Sequence, residues 1–360
     1  MKLRSILIEA GRNISTGTTR AGLFFFVVAL LSSGLVSLDL GETRLLLADA
    51  QHYQQVGAST LILAAPGRVD GKACEALGRL AGVQGAGAMR PSSAPLVLAA
   101  MPGAPVPRFE VSSSFLNALR DSSSVHGVGV YISAEVARTT GRSGGEALPI
   151  DGGALAVLDT FEYPADGRRA GMGWSVLVPS ASADPFDECW VRQWPESQKL
   201  RSLLLQVIAP AGVTASKEQP LIFQLNTTQG VVFSGTERFG QRVLKYVPFV
   251  VLAVTAAAGA VSVRLRRLEF ASNLHAGAQR RDLYLQVVLE TAAWALPAAL
   301  LVLVSTVLMV TSIDAADRTA LLAQGSKSAL ALTVGSVAGA WIIAAMIQVK
   351  HFFKLFKDRN

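Results

Sequence analysis

A serine in a glycine-rich turn, four histidines, two cysteines and several basic clusters are the groups in this chain that could do chemistry. Gly141-Arg142-Ser143-Gly144-Gly145 fits the G-x-S-x-G pattern, which as a nucleophile elbow needs a strand before it, a helix after it and a histidine within reach. Pro149 follows instead, and the downstream histidines, His275 and His351, fall in segments assigned below to the other side of a membrane. His52, His126, His275 and His351 show no ligand spacing with Cys74 and Cys189, which argues against a metal site. The chain has no G-x-x-x-x-G-K-[ST] run, the loop that cradles nucleotide phosphates. No catalytic or metal-binding residue is therefore assigned and no cofactor is expected on the chain. Any ATP must be handled by another polypeptide.

The elements that carry these residues follow from composition. Of 360 residues, 51% are hydrophobic and 16% charged, too apolar for an ordinary water-soluble chain. Crossing a hydrocarbon core takes about 20 helical residues. Residues 21–38, 246–263, 292–313 and 330–349 are long and apolar enough. The first could also be read as a signal peptide, with Leu23 to Leu31 as its apolar core. The small-x-small site Ala48-Asp49-Ala50 lies too far beyond that core, and retention is favoured.

Basic residues near the membrane set orientation. Lys2, Arg4, Arg12 and Arg20 precede the first span, Arg264, Arg266, Arg267, Arg280 and Arg281 fill the loop after the second, and Lys350, Lys354 and Lys357 follow the last. Both termini (1–20 and 350–360) and the loop 264–291 are thus expected in the cytoplasm of a multi-pass protein of the plasma or inner membrane. Arg238, Arg242 and Lys245 run against this rule but are outnumbered. The formal charge of +7 then comes mostly from the cytoplasmic edges, which points away from nucleic acid. Segment 314–329 is expected as a short outer loop.

Residues 39–245 form the outer region, long enough for a domain. Strand and helix patterns alternate within it: strands at Ser59 to Ala64, Val128 to Ile132, Ala154 to Leu158, Trp174 to Pro179 and Leu221 to Leu225, and helices at Asp70 to Leu80, Val111 to Arg120, Ala134 to Thr139 and Pro195 to Ile208. Asp70 is the expected N-cap and Gly82 the expected stop of the first of these helices. Met89 to Pro107 and Thr139 to Gly153 read as loops. The fold class is thus a four-span membrane protein with a large mixed α/β extracytoplasmic domain between the first and second spans. Cys74 and Cys189 both lie in that domain, where a disulfide and two buried thiols remain the alternatives. Leu40 to Tyr53 and Thr236 to Lys245, the latter capped by Thr236, could continue the spans outward as stalks or be amphipathic surface helices.

The loop 264–291 is the most polar stretch between two spans. Arg267-Leu268-Glu269, then His275-Ala276-Gly277-Ala278-Gln279-Arg280-Arg281-Asp282-Leu283, then Gln286 and Leu289-Glu290 leading into the third span, resemble the signature of MacB/FtsX-like ABC transporter permeases. Ile8-Glu9-Ala10, Arg12-Asn13 and Arg20 resemble that family's membrane-surface helix, with Leu3, Ile6, Leu7, Ala10 and Ile14 as an apolar stripe suited to the interface.

The resemblance implies a permease subunit whose loop is a coupling helix. Its residues would be Arg267, Glu269, Phe270, Leu274, Gly277, Ala278, Arg280, Arg281, Asp282 and Glu290. Phe270 and Leu274 face the bundle in this reading, Gly277 makes the turn, and Arg280 and Arg281 are exposed; the plain alternative is a basic loop obeying the charge rule. The implied partners are two ABC ATPase subunits carrying ATP and Mg, a second permease chain (the same or homologous), lipid, and an extracytoplasmic protein. The implied work is export or extraction of a substrate; the alternative is mechanical signalling that regulates a cell-wall hydrolase or senses an antimicrobial compound. For the second chain, Ala257, Gly259 and Ala260 in the second span are the expected contact, while Gly335 and Gly339 in the fourth are expected to pack within the subunit.

Overall fold

The computed structural model describes residues 3–119, 127–181, 184–210, 218–311, 313 and 315–347. Lys2, Arg120, His126, Val349, Lys350, His351, Lys354 and Lys357 lie outside the described residues.

In chain order the elements are α1 (Leu3–Ser15) and α2 (Ala21–Gln55), then β1 (Thr60–Val69), α3 (Gly71–Leu77), β2 (Val83–Pro91), β3 (Leu96–Leu98), β4 (Met101–Val106), β5 (Arg108–Val111), α4 (Phe115–Leu119), β6 (Val130–Ser133), α5 (Ala134–Thr140), β7 (Ala147–Ile150), β8 (Gly153–Phe161), β9 (Val176–Pro179), β10 (Phe186–Gln193), α6 (Gln198–Leu205) and β11 (Leu221–Gln224). The chain ends in α7 (Gly235–Gln241), a single 3-10 turn (Val243–Tyr246), α8 (Val247–Arg264), α9 (Arg267–His275), α10 (Arg280–Val310) and α11 (Ala315–Met346). Contacts divide it into a helical unit, 1–47 with 236–360, and a sheet-rich unit, 48–235.

The described strands of the sheet-rich unit form one eleven-stranded sheet in the order β11-β1-β10-β2-β5-β9-β6-β8-β7-β3-β4. Successive side chains on a strand point to opposite faces, and both faces of the central strands are covered. Leu63, Cys189 and Val191 pack with Cys74 and Leu77 of α3 and Leu200 and Leu204 of α6. Ile62 and Trp190 turn the other way, onto Phe115, Leu116 and Ala118 of α4. Cys74 and Cys189 are bonded, with Cα atoms 5.8 Å apart, which resolves the two alternatives for them. Asp70 caps α3 as expected, its carboxylate accepting from Lys72 N at 2.9 Å and Ala73 N at 3.1 Å.

Several expectations change. The helix from Asp70 stops at Gly78 rather than Gly82, and Val111 belongs to β5, so the next helix is only Phe115–Leu119. The helix expected over Pro195 to Ile208 shortens to Gln198–Leu205, capped by Ser197. Met89 to Pro107 is not a loop: it holds the end of β2, all of β3 and all of β4. Thr139 to Gly153 likewise contains β7.

Among the described residues, four helices are long and apolar enough to cross a membrane, belonging to α2, α8, α10 and α11. The segment 314–329, expected as a loop, is helical from Ala315; its Ala- and Leu-rich sequence holds no proline to end the helix. Thr236 to Lys245 is helical only in part. Arg242 leaves the helix at φ −56°, ψ 134°, and α8 restarts with Pro248 in its first turn, where a missing N–H costs nothing.

α8 and α11 are locked by glycine. A Cβ on Gly259 would run into Ser336 O, one on Gly335 into Leu252 O and one on Gly339 into Ala256 O. Gly335 and Gly339 thus pack within the subunit. Gly259, expected to meet a second chain, is buried against the chain's own fourth span, because only a hydrogen at that position lets the backbones approach this closely. Ala260 is half-buried and Ala257 exposed.

Candidate functional site

At the end of α8 the chain leaves the helix at Arg266 (φ −108°, ψ 14°) and re-enters one as α9. The Arg266 guanidinium donates to Glu269 Oε2 at 2.8 Å and Oε1 at 2.5 Å, and its Nη1 donates to Glu290 Oε2. It also lies over the Phe270 ring, its Cζ 4.9 Å from the centroid. Glu290 Oε1 accepts from Asn13 Nδ2 at 2.8 Å and from Gln286 Nε2 at 3.2 Å. One carboxylate on α10 therefore gathers α1, the α8–α9 junction and its own helix. The ion pair is nearly sealed, with the Arg266 side chain 10% and the Glu290 side chain 7% exposed. Burial opposes the charge on Arg266, but the bonds and charges of Glu269 and Glu290 outweigh it, and its pKa is raised above the ordinary arginine value.

The rest of α9 divides by face. Phe270, Ala271 and Leu274 are buried against Val263, Leu283, Val287 and Ala344, while Arg267 and His275 are exposed. Ala276 ends the helix, and Gly277 takes φ +93°, a left-handed conformation that a β-branched residue adopts only under strain. No atom lies within 4 Å of where its Cβ would be, so the requirement is conformational rather than steric. Ala278 is half-buried, Arg280 and Arg281 project outward, and Asp282 is buried with Arg281 Nε 3.8 Å from its Oδ1. Ala278 and Asp282 line a groove with Ile6, Glu9 and Asn273.

The structure thus brings Glu269, Phe270 and Glu290 together, and the residue that joins them is Arg266. Sequence reasoning counted Arg266 only among the basic residues and took Arg267 as the start of the motif. The available signal was the spacing Arg266 to Glu269, one helical turn that lets a side-chain pair meet. Gly277, Arg280 and Arg281 stand apart from the cluster, on the exposed tip, while Arg267 is exposed at the start of α9.

The opposite end of α8 has a second buried pair. Arg242 Nη1 lies 3.4 Å from Asp39 Oδ1 and donates to Thr43 Oγ1; Gln324 Nε2 donates to Asp39 Oδ2 at 2.5 Å. The side chains of Arg242 and Asp39 are 5% and 2% exposed. The 18 residues of α8, about 27 Å at 1.5 Å per residue, are thus held by an arginine at each end. In the sheet-rich unit, Gly141 closes α5 in a left-handed conformation, and Ser143 donates through its N to Glu146 Oε2 at 2.7 Å. That is a turn, with no strand leading into the serine.

No protein-family model matches the chain. No curated protein matches it. Among solved structures it is similar to the periplasmic region of MacB from Actinobacillus actinomycetemcomitans, with 10% identity and a TM-score of 0.34 over 49% of this chain and 94% of that one.

Proposed function

We propose that the chain is the membrane subunit of an ABC-transporter assembly of the MacB/FtsX-like kind. Two separate ATPase subunits would hydrolyse ATP with Mg and press on the turn from His275 to Asp282, and two membrane subunits would pass that displacement to their sheet-rich domains for export or extraction of a substrate. In this reading both termini and the α9–α10 turn face the cytoplasm of the cell that holds the assembly in its plasma or inner membrane.

The observation that carries the proposal is the contrast between the tip of the α9–α10 hairpin and its base. The tip, Gly277 to Arg281, is exposed except for the half-buried Ala278 and carries two arginines. The base is tied by Arg266 and Glu290 to α1, α8 and α10. A push on the tip is passed to a base that stays tied as it moves, because parting the buried Arg266–Glu290 pair would leave a charge in apolar surroundings. The displacement therefore passes to whole helices. α2 runs unbroken from Ala21 to Gln55, a rod of about 52 Å at 1.5 Å per residue, well beyond the roughly 30 Å of hydrocarbon.

Gly277→Val tests the reading. It should leave insertion and ATPase binding intact while abolishing the stimulation of ATP hydrolysis by the membrane subunit, since valine resists the left-handed turn. Affinity purification of the wild-type chain from its own membranes should bring down an ATPase. Full stimulation in the variant, or purification without an ATPase, would overturn the proposal.

A further inference from the structure

We propose, on the membrane-crossing part of the reading above, that the elbow from Thr236 to Tyr246 lies on the lipid surface and presses Phe239, Val243 and Tyr246 into it. Thr236 to Lys245 reads from sequence either as a stalk or as a surface helix, and its structure is that of a surface segment, bent and two-sided. On α7, Glu237 and Gln241 stand one turn apart, and Gln241 Nε2 donates to Glu237 Oε1 at 3.0 Å. Phe239, two residues from each, falls on the other side of the helix. The chain then breaks at Arg242. In the 3-10 turn that follows, side chains three apart share one face, which puts Val243 and Tyr246 together. Both are exposed, Val243 at 82%.

The surface that these side chains adjoin indicates what covers them. α8 begins at Val247, and its 18 residues take up about 27 Å of the roughly 30 Å of hydrocarbon. Its first turn exposes Phe249 and Val250, so the apolar surface continues from a membrane-crossing helix onto the elbow. Tyr246 sits at the boundary, where an aromatic ring with one polar edge is favoured. Lys245 beside it donates to Gly240 O at 2.6 Å and lies 5.1 Å from the Tyr246 ring centroid, which holds the elbow bent and keeps the ammonium at its polar edge. Phe239 also covers one side of the buried Arg242–Asp39 pair, with the Arg242 Cζ 3.9 Å from its ring centroid. With its other side in lipid, the ring keeps water from that pair. Arg242 and Lys245, which run against the charge rule, are accounted for by these bonds. The two connections to the sheet-rich unit then differ in kind: α2 enters it as one unbroken helix, whereas α8 is reached through a bent segment anchored sideways in lipid.

Single cysteines at Phe239, Val243, Gln241 and Leu252 can be introduced with the native bridge kept, because Cys74 and Cys189 are bonded and fully buried. The full chain, nitroxide-labelled at each in turn, is placed in phosphatidylcholine nanodiscs, and the label's relaxation is measured with oxygen, which concentrates in lipid, and with a water-soluble nickel chelate. Leu252, exposed on α8, should favour oxygen and serves as the lipid reference. Phe239→Cys and Val243→Cys should favour oxygen as well, with an oxygen-to-nickel ratio several-fold above that of Gln241→Cys. Val243 is the more exposed of the two, so Val243→Cys decides the matter if Phe239→Cys does not fold. Nickel preference at these positions would make the segment a water-exposed stalk, and low access to both reagents would mean that protein covers it; either result overturns the elbow. With oxygen still preferred at Leu252, only the elbow falls. Nickel preference at Leu252 too would mean that α8 does not cross the bilayer, and the membrane reading would fall with it.

Discussion

The two ends of α8 solve one problem in different ways. Each places an arginine at a break in the helix and buries its charge against a carboxylate from another helix. At the α7 end Arg242 has Asp39, with Thr43 and Gln324 completing the bonds, and both charged side chains are at most 5% exposed. At the α9 end Arg266 is divided between Glu290, 7% exposed, and Glu269, 40% exposed. A buried arginine with one buried acid has a single low-energy arrangement. One that also holds an acid at the surface can lean toward water when its helix moves. The α7 end is accordingly a fixed point and the α9 end an adjustable joint, and the joint is the end that adjoins the exposed Gly277 turn.

The largest effect should come from Asp39→Asn. The change keeps the shape of the side chain but leaves the Arg242 guanidinium, which stays charged in any protein setting, buried without its counter-charge. Removing one partner of a buried pair costs about 3–5 kcal/mol. Denaturant titration of the purified chain in detergent, followed by tryptophan fluorescence, should show a loss of that order. A cost no larger than that of the matching change at the other end would erase the distinction between them.

These clusters also mark the limit of what the sequence discloses. The four long apolar helices are legible because hydropathy is a local property of the sequence, and the start of α3 is legible because Asp70 sits directly before it. β10 was missed although it is central, paired with β1 on one side and β2 on the other. Its sequence, FDECWVRQ, carries charges that look wrong for a central strand. Glu188 is satisfied by Arg169 at 2.7 Å and by the Trp190 indole at 2.8 Å, partners that no local pattern predicts. β4 was missed for the opposite reason, since Pro102 and Pro105 argue against a strand. It ends the strand order, and at an edge a missing N–H is tolerated. The segment 264–291 stands out in the sequence by its charge, but the residue that organises its fold, Arg266, does not. Asn13 and Glu290 meet across 277 positions of sequence, and although the spacing of Arg266 and Glu269 allows that pair to form, no local pattern brings Glu290 to it.

A smaller loss is expected from Glu290→Gln, which makes the comparison quantitative. The glutamine carbonyl can still accept from Asn13 or Gln286, and Arg266 keeps Glu269. What is lost is a charge-assisted bond, worth about 1.5–3 kcal/mol. The same titration should place this variant between the wild type and Asp39→Asn. It should also reduce the stimulation of a bound ATPase, because the base of α9 would no longer be tied to α10 by opposite charges. A loss of stability with full stimulation would make the cluster a structural pin with no part in transmission.

The smallest effect belongs to Glu269→Gln. Its carboxylate is largely at the surface, one helical turn from Arg266, and exposed pairs of this kind are worth about 0.5 kcal/mol or less and weaken with salt. Alone, the change should hardly move the unfolding midpoint, since Glu290 still answers the buried guanidinium. In the double variant Glu269→Gln/Glu290→Gln, Arg266 loses both acids and comes to resemble Arg242 in Asp39→Asn. Its cost should therefore exceed the sum of the two single changes by about 1–2 kcal/mol, within the range seen for residues that share a partner. Combining Glu269→Gln with Asp39→Asn, at opposite ends of α8, should be additive. Additivity in the first pair would mean that Arg266 reaches solvent without either acid, and the α9 end would then be a surface charge cluster rather than a joint.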